Sequence, residues 1–282
     1  MKTVLITGCS SGFGKDLVTQ YLESGWKVIA TLRKSGQRTQ LFSADLKKYP
    51  TLLELFELDV TQESNRLKLA EHLRTYHASR LDCLVNNAGY GVFGAFEEVS
   101  ETQLRHQFEV NFFGLSLITQ QLLPYLREAQ GRIINISSVL GYLPMPMASV
   151  YVASKFAVEG LTEALHFELK SVGVQVALVE PGRFKTDFKQ NMNWGEKIQG
   201  SLYQVQTENY RGTRENTSTN QGGDPANVIR RIVKLSNMKK MPLHNPCGPD
   251  AKSARLFLKW TPDWLSSRTL SFAYDRAYLK KK

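Results

Sequence analysis

The sequence predicts an α/β protein: one doubly wound parallel sheet with helices on both faces, and a C-terminal extension belonging to the same domain. Three observations carry that prediction. An apolar strand, Val4-Leu5-Ile6, runs through a glycine-rich turn, Thr7-Gly8-Cys9-Ser10-Ser11-Gly12-Phe13-Gly14, into a helical segment. Apolar runs then alternate with helical segments as far as residue 188, the order that a parallel sheet with crossover helices requires. Length and composition agree, since 282 residues at 42% hydrophobic can bury a full core.

Taken in order, residues 1–7 form a buried strand and residues 13–22 a helix. Between them the glycines permit a tight turn and bring bare backbone N–H groups toward a pyrophosphate at the positive end of the helix, as in a Rossmann-like dinucleotide-binding unit. The Gly-x-x-x-Gly-x-Gly spacing is looser than the usual fingerprint, so the strand before it and the helix after it supply the necessary context. Residues 27–31 are a second strand, and Leu58-Asp59-Val60 closes a third. Residues 62–77 are a polar helix, and the strand 82–85 leads into Asn86-Asn87-Ala88-Gly89. A long helix, 101–128, carries Asn111, and the strand 133–136 runs into Ser137-Ser138. The helix 150–172 is followed by an apolar strand, 174–180, ending in Pro181-Gly182.

Tyr151 and Lys155 stand one turn apart on that last helix, so the ammonium can favour the ionised phenol. Bringing a tyrosine from about 10 to about 7 takes roughly 4 kcal/mol. A cation at about 4 Å supplies on the order of 4 kcal/mol at an effective dielectric of about 20. Tyr151 therefore reads as a tunable base.

These landmarks in this order, over about residues 2–188, resemble the short-chain dehydrogenases/reductases of the single-domain type. The resemblance implies an oxidoreductase with a catalytic group of Asn111, Ser138, Tyr151 and Lys155. Tyr151 would exchange a proton with the substrate oxygen while hydride moves to or from a nicotinamide, and Ser138 would hold the same oxygen. Lys155 would also bridge the ribose hydroxyls, and Asn111 would hold a water connecting Lys155 to solvent. Cofactor contacts are implied for Gly8, Ser10, Ser11, Gly12, Phe13 and Gly14 in the turn. Asp59, Val60, Asn86, Ala88 and Gly89 follow the third and fourth strands, and Pro181, Gly182 and Thr186 close the set, Thr186 on the carboxamide. After Pro181-Gly182 the family places a lid over the substrate, which divides the chain into a core, 1–188, and a lid with C-terminal extension, 189–282.

Cofactor choice follows from the end of the second strand. An NAD enzyme needs a carboxylate there and an NADP enzyme a cation. The next residues are Leu32-Arg33-Lys34, with no acidic residue between Glu23 and Asp45. A charge-assisted contact from Arg33 contributes about 1.5–3 kcal/mol, so NADP(H) is expected over NAD(H). Ser11 resembles a second phosphate contact of NADP-using relatives.

The substrate region reads as apolar and aromatic. Tyr90, Phe93, Leu140 and Tyr142 are candidates, then Leu143, Pro144, Met145, Phe184 and Trp194, with no cation evident for an anionic group. That lining favours a small hydrophobic alcohol or carbonyl compound. The Cys9-Ser10-Ser11 turn, Ala30-Thr31-Leu32-Arg33 and Tyr151-Val152-Ala153-Ser154-Lys155-Phe156 resemble the hydroxysteroid and retinol dehydrogenase branch, which points to steroid-like or retinoid-like substrates. Residues 189–224 are polar and glycine-punctuated, with Trp194 and Tyr203 as exceptions, and read as a hinged lid or loop. Residues 225–236 are a helix, and residues 244–250 a short last strand and turn.

A net charge of +10 is spread along the chain apart from Lys280-Lys281-Lys282, so a solvated surface explains it and nucleic acid is not expected. Cys9, Cys83 and Cys247 suggest no disulfide framework, no metal cluster is indicated, and no leader-like or spanning apolar segment occurs, which together predict a cytoplasmic protein. The family's dimer helices would carry Phe112, Phe113, Leu117 and Phe156, so a homodimer or homotetramer is expected. Two other classes compete: a non-catalytic NADP-binding regulator on the same fold, and a membrane-surface protein using Leu256, Phe257, Leu258, Trp260, Trp264 and the terminal lysines. Pro262 interrupts any single amphipathic helix in that tail, which makes membrane association the lesser reading.

Overall fold

A computed structural model describes residues 1–196, 198–216 and 222–276. Seven parallel strands form the main sheet: β1 (Thr3–Ile6), β2 (Lys27–Leu32), β3 (Leu53–Glu57), β4 (Cys83–Asn86), β6 (Arg132–Ile136), β7 (Gln175–Pro181) and β9 (His244–Cys247), in the order β3-β2-β1-β4-β6-β7-β9. The strand direction of travel reverses between β1 and β4. That reversal opens a crevice at the carboxyl ends of the strands, where ligands of open α/β sheets bind.

Parallel strands covered on both faces read as continuous apolar runs, and β1 and β4 are buried at every position. Alternate side chains nevertheless divide between two cores. Val4 and Ile6 pack with Leu17, Val18 and Tyr21 of α1 (Gly12–Glu23) and with Val228, Ile229 and Ile232 of a C-terminal helix. Leu5 packs on the opposite face with Leu69 and Leu73 of α2 (Glu63–Tyr76) and with Ile118 and Leu122.

The third strand ends at Glu57, so Leu58-Asp59-Val60 is the loop leaving it rather than its last turn. The predicted helix 101–128 is α3 (Glu101–Phe108) and α4 (Leu115–Ala129), joined by a π-helical stretch, Glu109–Gly114, that contains Asn111. Ser100 and Gln103 cap α3 reciprocally. The helix that carries Tyr151 and Lys155, α5, spans Ser149–Glu168.

Much of the polar segment after Pro181 is ordered structure rather than loop. Strand β8 (Met192–Trp194) pairs in parallel with β5 (Gly91–Phe93) in a small second sheet, and α6 (Gln204–Asn216) follows. Residue 197 and residues 217–221 of the expected lid lie outside the described residues. Gly223 bridges Phe184 as the chain returns, leading into α7 (Ala226–Asn237). In the tail, α8 (Pro249–Trp260) and α9 (Asp263–Tyr274) are separate helices broken at Pro262, with Trp260 and Trp264 exposed. The terminal lysines 280–282 lie outside the described residues. Among the described residues no helix is long and apolar enough to cross a membrane.

Candidate active site

The glycine turn is fastened to the end of β4. Thr7 Oγ1 accepts from the backbone N–H groups of Asn87 and Ala88, each at 3.0 Å, and Asn87 Nδ2 donates to the carbonyls of Thr7 and Gly8 at 2.9 and 3.1 Å. Gly8 has φ +72° and a Cβ there would lie 2.8 Å from the Ala88 Cα, so only glycine fits. Gly14 is needed for packing instead, because a Cβ would collide with the Gly8 carbonyl and Asn87.

A cavity of about 870 Å³ begins at this turn. It is lined by Ser10, Ser11, Gly12, Phe13, Arg33 and Asp59, by Val60, Ala88 and Gly89, and by Pro181, Gly182 and Thr186. Gly12 has φ +55° and nothing within 4 Å of a Cβ position, so bare backbone faces open space there. Asp59 is turned onto its own loop, accepting from the Thr61 N–H at 3.0 Å and hydroxyl at 2.7 Å. Glu57, beside the end of β2, accepts from the Ser35 N–H at 3.2 Å, outside the cavity. The donor set, with exposed Arg33 and two serines, fits a phosphate-bearing dinucleotide.

Two predicted cofactor residues are elsewhere. Gly14 does not line the cavity, and neither does Asn86. Asn86 is buried on the sheet face, where its Nδ2 donates to Thr119 at 2.9 Å and to Asn135 at 2.8 Å.

The same cavity is lined by Ser138, Tyr151 and Lys155. Ser138 stands at the end of β6, and its Oγ accepts from the Leu140 N–H at 3.1 Å. Lys155 is buried and its Nζ donates to the Ile136 carbonyl at 2.8 Å, lying 5.9 Å from the Tyr151 ring centre. Burial lowers the Lys155 pKa to about 8. Burial also pushes the Tyr151 phenol up to about 12, opposed by the Ser138 hydroxyl and the Arg214 guanidinium. The expectation that Lys155 nearly suffices to bring the phenol near neutrality, with an oxidised nicotinamide adding to it, is cut back: desolvation of the tyrosinate outweighs a lysine committed to a carbonyl.

Asn111 does not line the cavity. Its Nδ2 donates to the Tyr90 carbonyl at 3.0 Å and to Ser154 Oγ at 3.2 Å, and its Oδ1 accepts from the Tyr90 N–H at 3.1 Å. The π-helical stretch that aims it inward ties α3 and α4 to α5 behind Tyr151.

On the substrate side Phe93 packs on Tyr151 at 5.5 Å between ring centres and on Tyr210 at 6.3 Å. Leu143 and Phe184 line the cavity, with Tyr90, Leu140 and Met145. Trp194 does not line it, but backs Phe93 at 6.1 Å. Tyr142 and Pro144 are also outside the lining: the Tyr142 hydroxyl donates to the Ala251 carbonyl at 2.7 Å, and the Pro144 carbonyl accepts from Tyr274. Sequence reasoning missed Phe188, Tyr210 and Arg214, all of which line the cavity. A Tyr-x-x-x-Arg pair in residues 204–216 was the available signal, hidden by the loop reading of that segment.

One helical turn beyond Lys155 lies a second buried group. Glu159 Oε1 and Glu180 Oε2 are buried with no hydrogen-bond partner, while Glu180 Oε1 accepts from Arg255 at 2.5 Å and from His244 at 3.1 Å. Burial, followed by the charge of Glu180, holds the Glu159 pKa well above the usual carboxylate range. A carboxyl whose folded pKa is raised contributes stability at low pH that is lost as pH climbs toward the folded value. Glu159→Gln is therefore expected to exceed the wild type in stability by about 1–3 kcal/mol at pH 9, with a smaller difference at pH 5. Urea unfolding at both values checks this; a difference larger at pH 5 would contradict it.

Comparison with known proteins agrees with this geometry. The family model described as short chain dehydrogenase matches residues 2–197. The chain is 35% identical to 3-ketodihydrosphingosine reductase of Bacteroides thetaiotaomicron, over 96% of this chain and 97% of that protein. It is 33% identical to retinol dehydrogenase 8 of Bos taurus, over 86% and 80%. A solved short-chain dehydrogenase from Streptomyces avermitilis superposes with a TM-score of 0.80 at 32% identity, covering 98% of this chain and 96% of that one. The closed form of a serine dehydrogenase complexed with NADP+ gives 0.73 at 27% identity, covering 88% and 95%. The chain belongs to the short-chain dehydrogenase family, and the doubly wound Rossmann-like sheet is that of its solved relatives.

Proposed function

We propose that this oxidoreductase interconverts an apolar secondary alcohol and its ketone, or a primary alcohol and its aldehyde, with NADP(H) and with Tyr151 as general acid/base. The observation that carries the reading is a single cavity lined both by Arg33 and the glycine turn and by Ser138, Tyr151 and Lys155. Bound along it, the nicotinamide nucleotide supplies or accepts the hydride. The Tyr151 hydroxyl gives its proton to the carbonyl oxygen in reduction and takes it back in oxidation. Ser138 donates a hydrogen bond to the same oxygen and shares the charge that develops there. Burial raises the Tyr151 phenol and the Ser138 hydrogen bond opposes it; the Lys155 ammonium, 5.9 Å from the ring centre, and the positive ring of an oxidised nicotinamide would add to that opposition. Phe93, Leu143 and Phe184 exclude water around the reacting carbon.

Arg33 beside the end of β2, with Glu57 outside the cavity and Asp59 turned onto Thr61, supports NADP(H), and the serine dehydrogenase relative is itself an NADP+ complex. Leu32→Asp combined with Arg33→Ala is expected to move the ratio of kcat/KM for NADPH over NADH down by about 10- to 100-fold. Steady-state kinetics with both nucleotides tests the assignment. A wild type that already favours NADH overturns it.

The apolar lining and the relatives named for sphingoid and retinol chemistry support a lipid-like substrate. Partly exposed Phe113, Leu117 and Phe156 on the π-helical stretch, α4 and α5 support a homo-oligomer through those elements, and three buried free thiols support a reducing compartment such as the cytoplasm.

A further inference from the structure

Arg214 is a charged side chain lining the cavity that the reaction as described does not use. It reaches in from α6, half-buried, with its guanidinium 5.5 Å from the Phe93 ring centre and 5.2 Å from that of Tyr210. Nε and Nη2 donate to the Tyr210 hydroxyl at 3.0 and 2.8 Å, and Nη2 also approaches Met145 Sδ at 3.5 Å. Nη1 carries no bond to any described residue, and among the described residues no carboxylate lies within ion-pair distance of the group. The two acids that line the cavity are engaged elsewhere, Asp59 on Thr61 and Asp250 on the Arg183 N–H at 2.7 Å.

A guanidinium held by neutral phenol, thioether and aromatic faces keeps its charge but lacks an anion, and its planar donor fork suits a carboxylate. Phe93 neighbours both groups, with its ring centre 5.5 Å from that of Tyr151 and 5.5 Å from the guanidinium, so the cation stands in the same part of the cavity as the reacting centre. Leu140, Leu143, Phe188 and Met192 add apolar surface to the same cavity. We infer that Arg214 selects apolar carbonyl and alcohol substrates bearing a carboxylate, so that the cavity takes an amphiphilic oxo or hydroxy acid in preference to its neutral counterpart. This deepens, and rests on, the oxidoreductase reading of the same cavity. It also corrects the sequence-based expectation of a lining without a cation.

The test uses the full-length protein with NADP+ bound and two probes, dodecanoate and methyl dodecanoate, titrated calorimetrically into the wild type, Arg214→Met and Arg214→Lys. The wild type is expected to bind the carboxylate at least about tenfold more tightly than the ester. Arg214→Met should lose that preference while keeping ester affinity and NADP+ affinity, and Arg214→Lys should retain part of it. Equal affinities in the wild type, a preference that survives in Arg214→Met, or a loss in NADP+ affinity alone would overturn the inference. Turnover of a neutral apolar ketone is measured alongside. If the carboxylate preference holds but no ketone or alcohol is turned over, the oxidoreductase reading fails and the anion seat stands; turnover without preference is the reverse case.

Discussion

Tyr151→Phe is expected to lower kcat/KM by about 10³-fold while leaving the NADP+ dissociation constant within about threefold of the wild type. The ring is held between Phe93 at 5.5 Å and Phe188 at 6.0 Å, and these contacts do not involve the hydroxyl. The substitution therefore removes one oxygen and leaves the wall of the cavity in place. What is lost is the group proposed to exchange a proton with the substrate oxygen. Ser138, proposed to hydrogen-bond that oxygen, would set the residual rate. Cofactor titration followed by steady-state kinetics separates the two quantities. Turnover within tenfold of the wild type would remove Tyr151 from the reaction.

Lys155→Met is expected to lower kcat/KM by a similar factor and, below pH 8, to raise stability. The sign follows from linkage. A lysine whose pKa falls from 10.5 to about 8 on folding binds its proton less tightly in the native state. Folding therefore costs about 3 kcal/mol below pH 8, and the cost fades as pH rises from 8 to 10.5. Methionine fills a similar volume without that charge, but it leaves the Ile136 carbonyl without its donor, a loss of about 1 kcal/mol. A net gain of about 1–2 kcal/mol at pH 7 is the expected balance. A residue that destabilises its own fold while supporting turnover is retained for chemistry. Thermal melts at pH 7 and pH 10 check this, and a variant less stable than the wild type at pH 7 would contradict the account.

The core was readable because its signals are local and periodic. Each strand of the parallel sheet is an apolar run, and an i,i+4 pair such as Tyr151 and Lys155 shares a helix face whatever surrounds it. The errors arise where geometry beyond the local segment decides. Asn86 and Asn87 are adjacent in sequence, yet strand alternation turns Asn86 into the sheet interior toward Thr119 and Asn135 and leaves Asn87 to hold the glycine turn. Trp194 looked like a lid contact because it is a large apolar side chain in a polar stretch, but the pairing of β8 with β5 places it behind Phe93. Arg214 escaped notice because α6 is polar and glycine-containing, so nothing in its composition fixes a helix; the packing of Tyr210 on Phe93 and Trp194 does. The desolvation that pushes Tyr151 upward is likewise a property of its buried tertiary surroundings, which one helix taken alone does not carry.

The most direct test of the central claim is the rate at which the wild-type protein oxidises NADPH, and separately NADH, in the presence of long-chain apolar ketones, followed by nucleotide absorbance. The account predicts ketone-dependent oxidation of NADPH, with kcat/KM at least about tenfold above that for NADH, abolished in Tyr151→Phe. Nucleotide binding without ketone-dependent oxidation, or oxidation that persists in Tyr151→Phe, would contradict it.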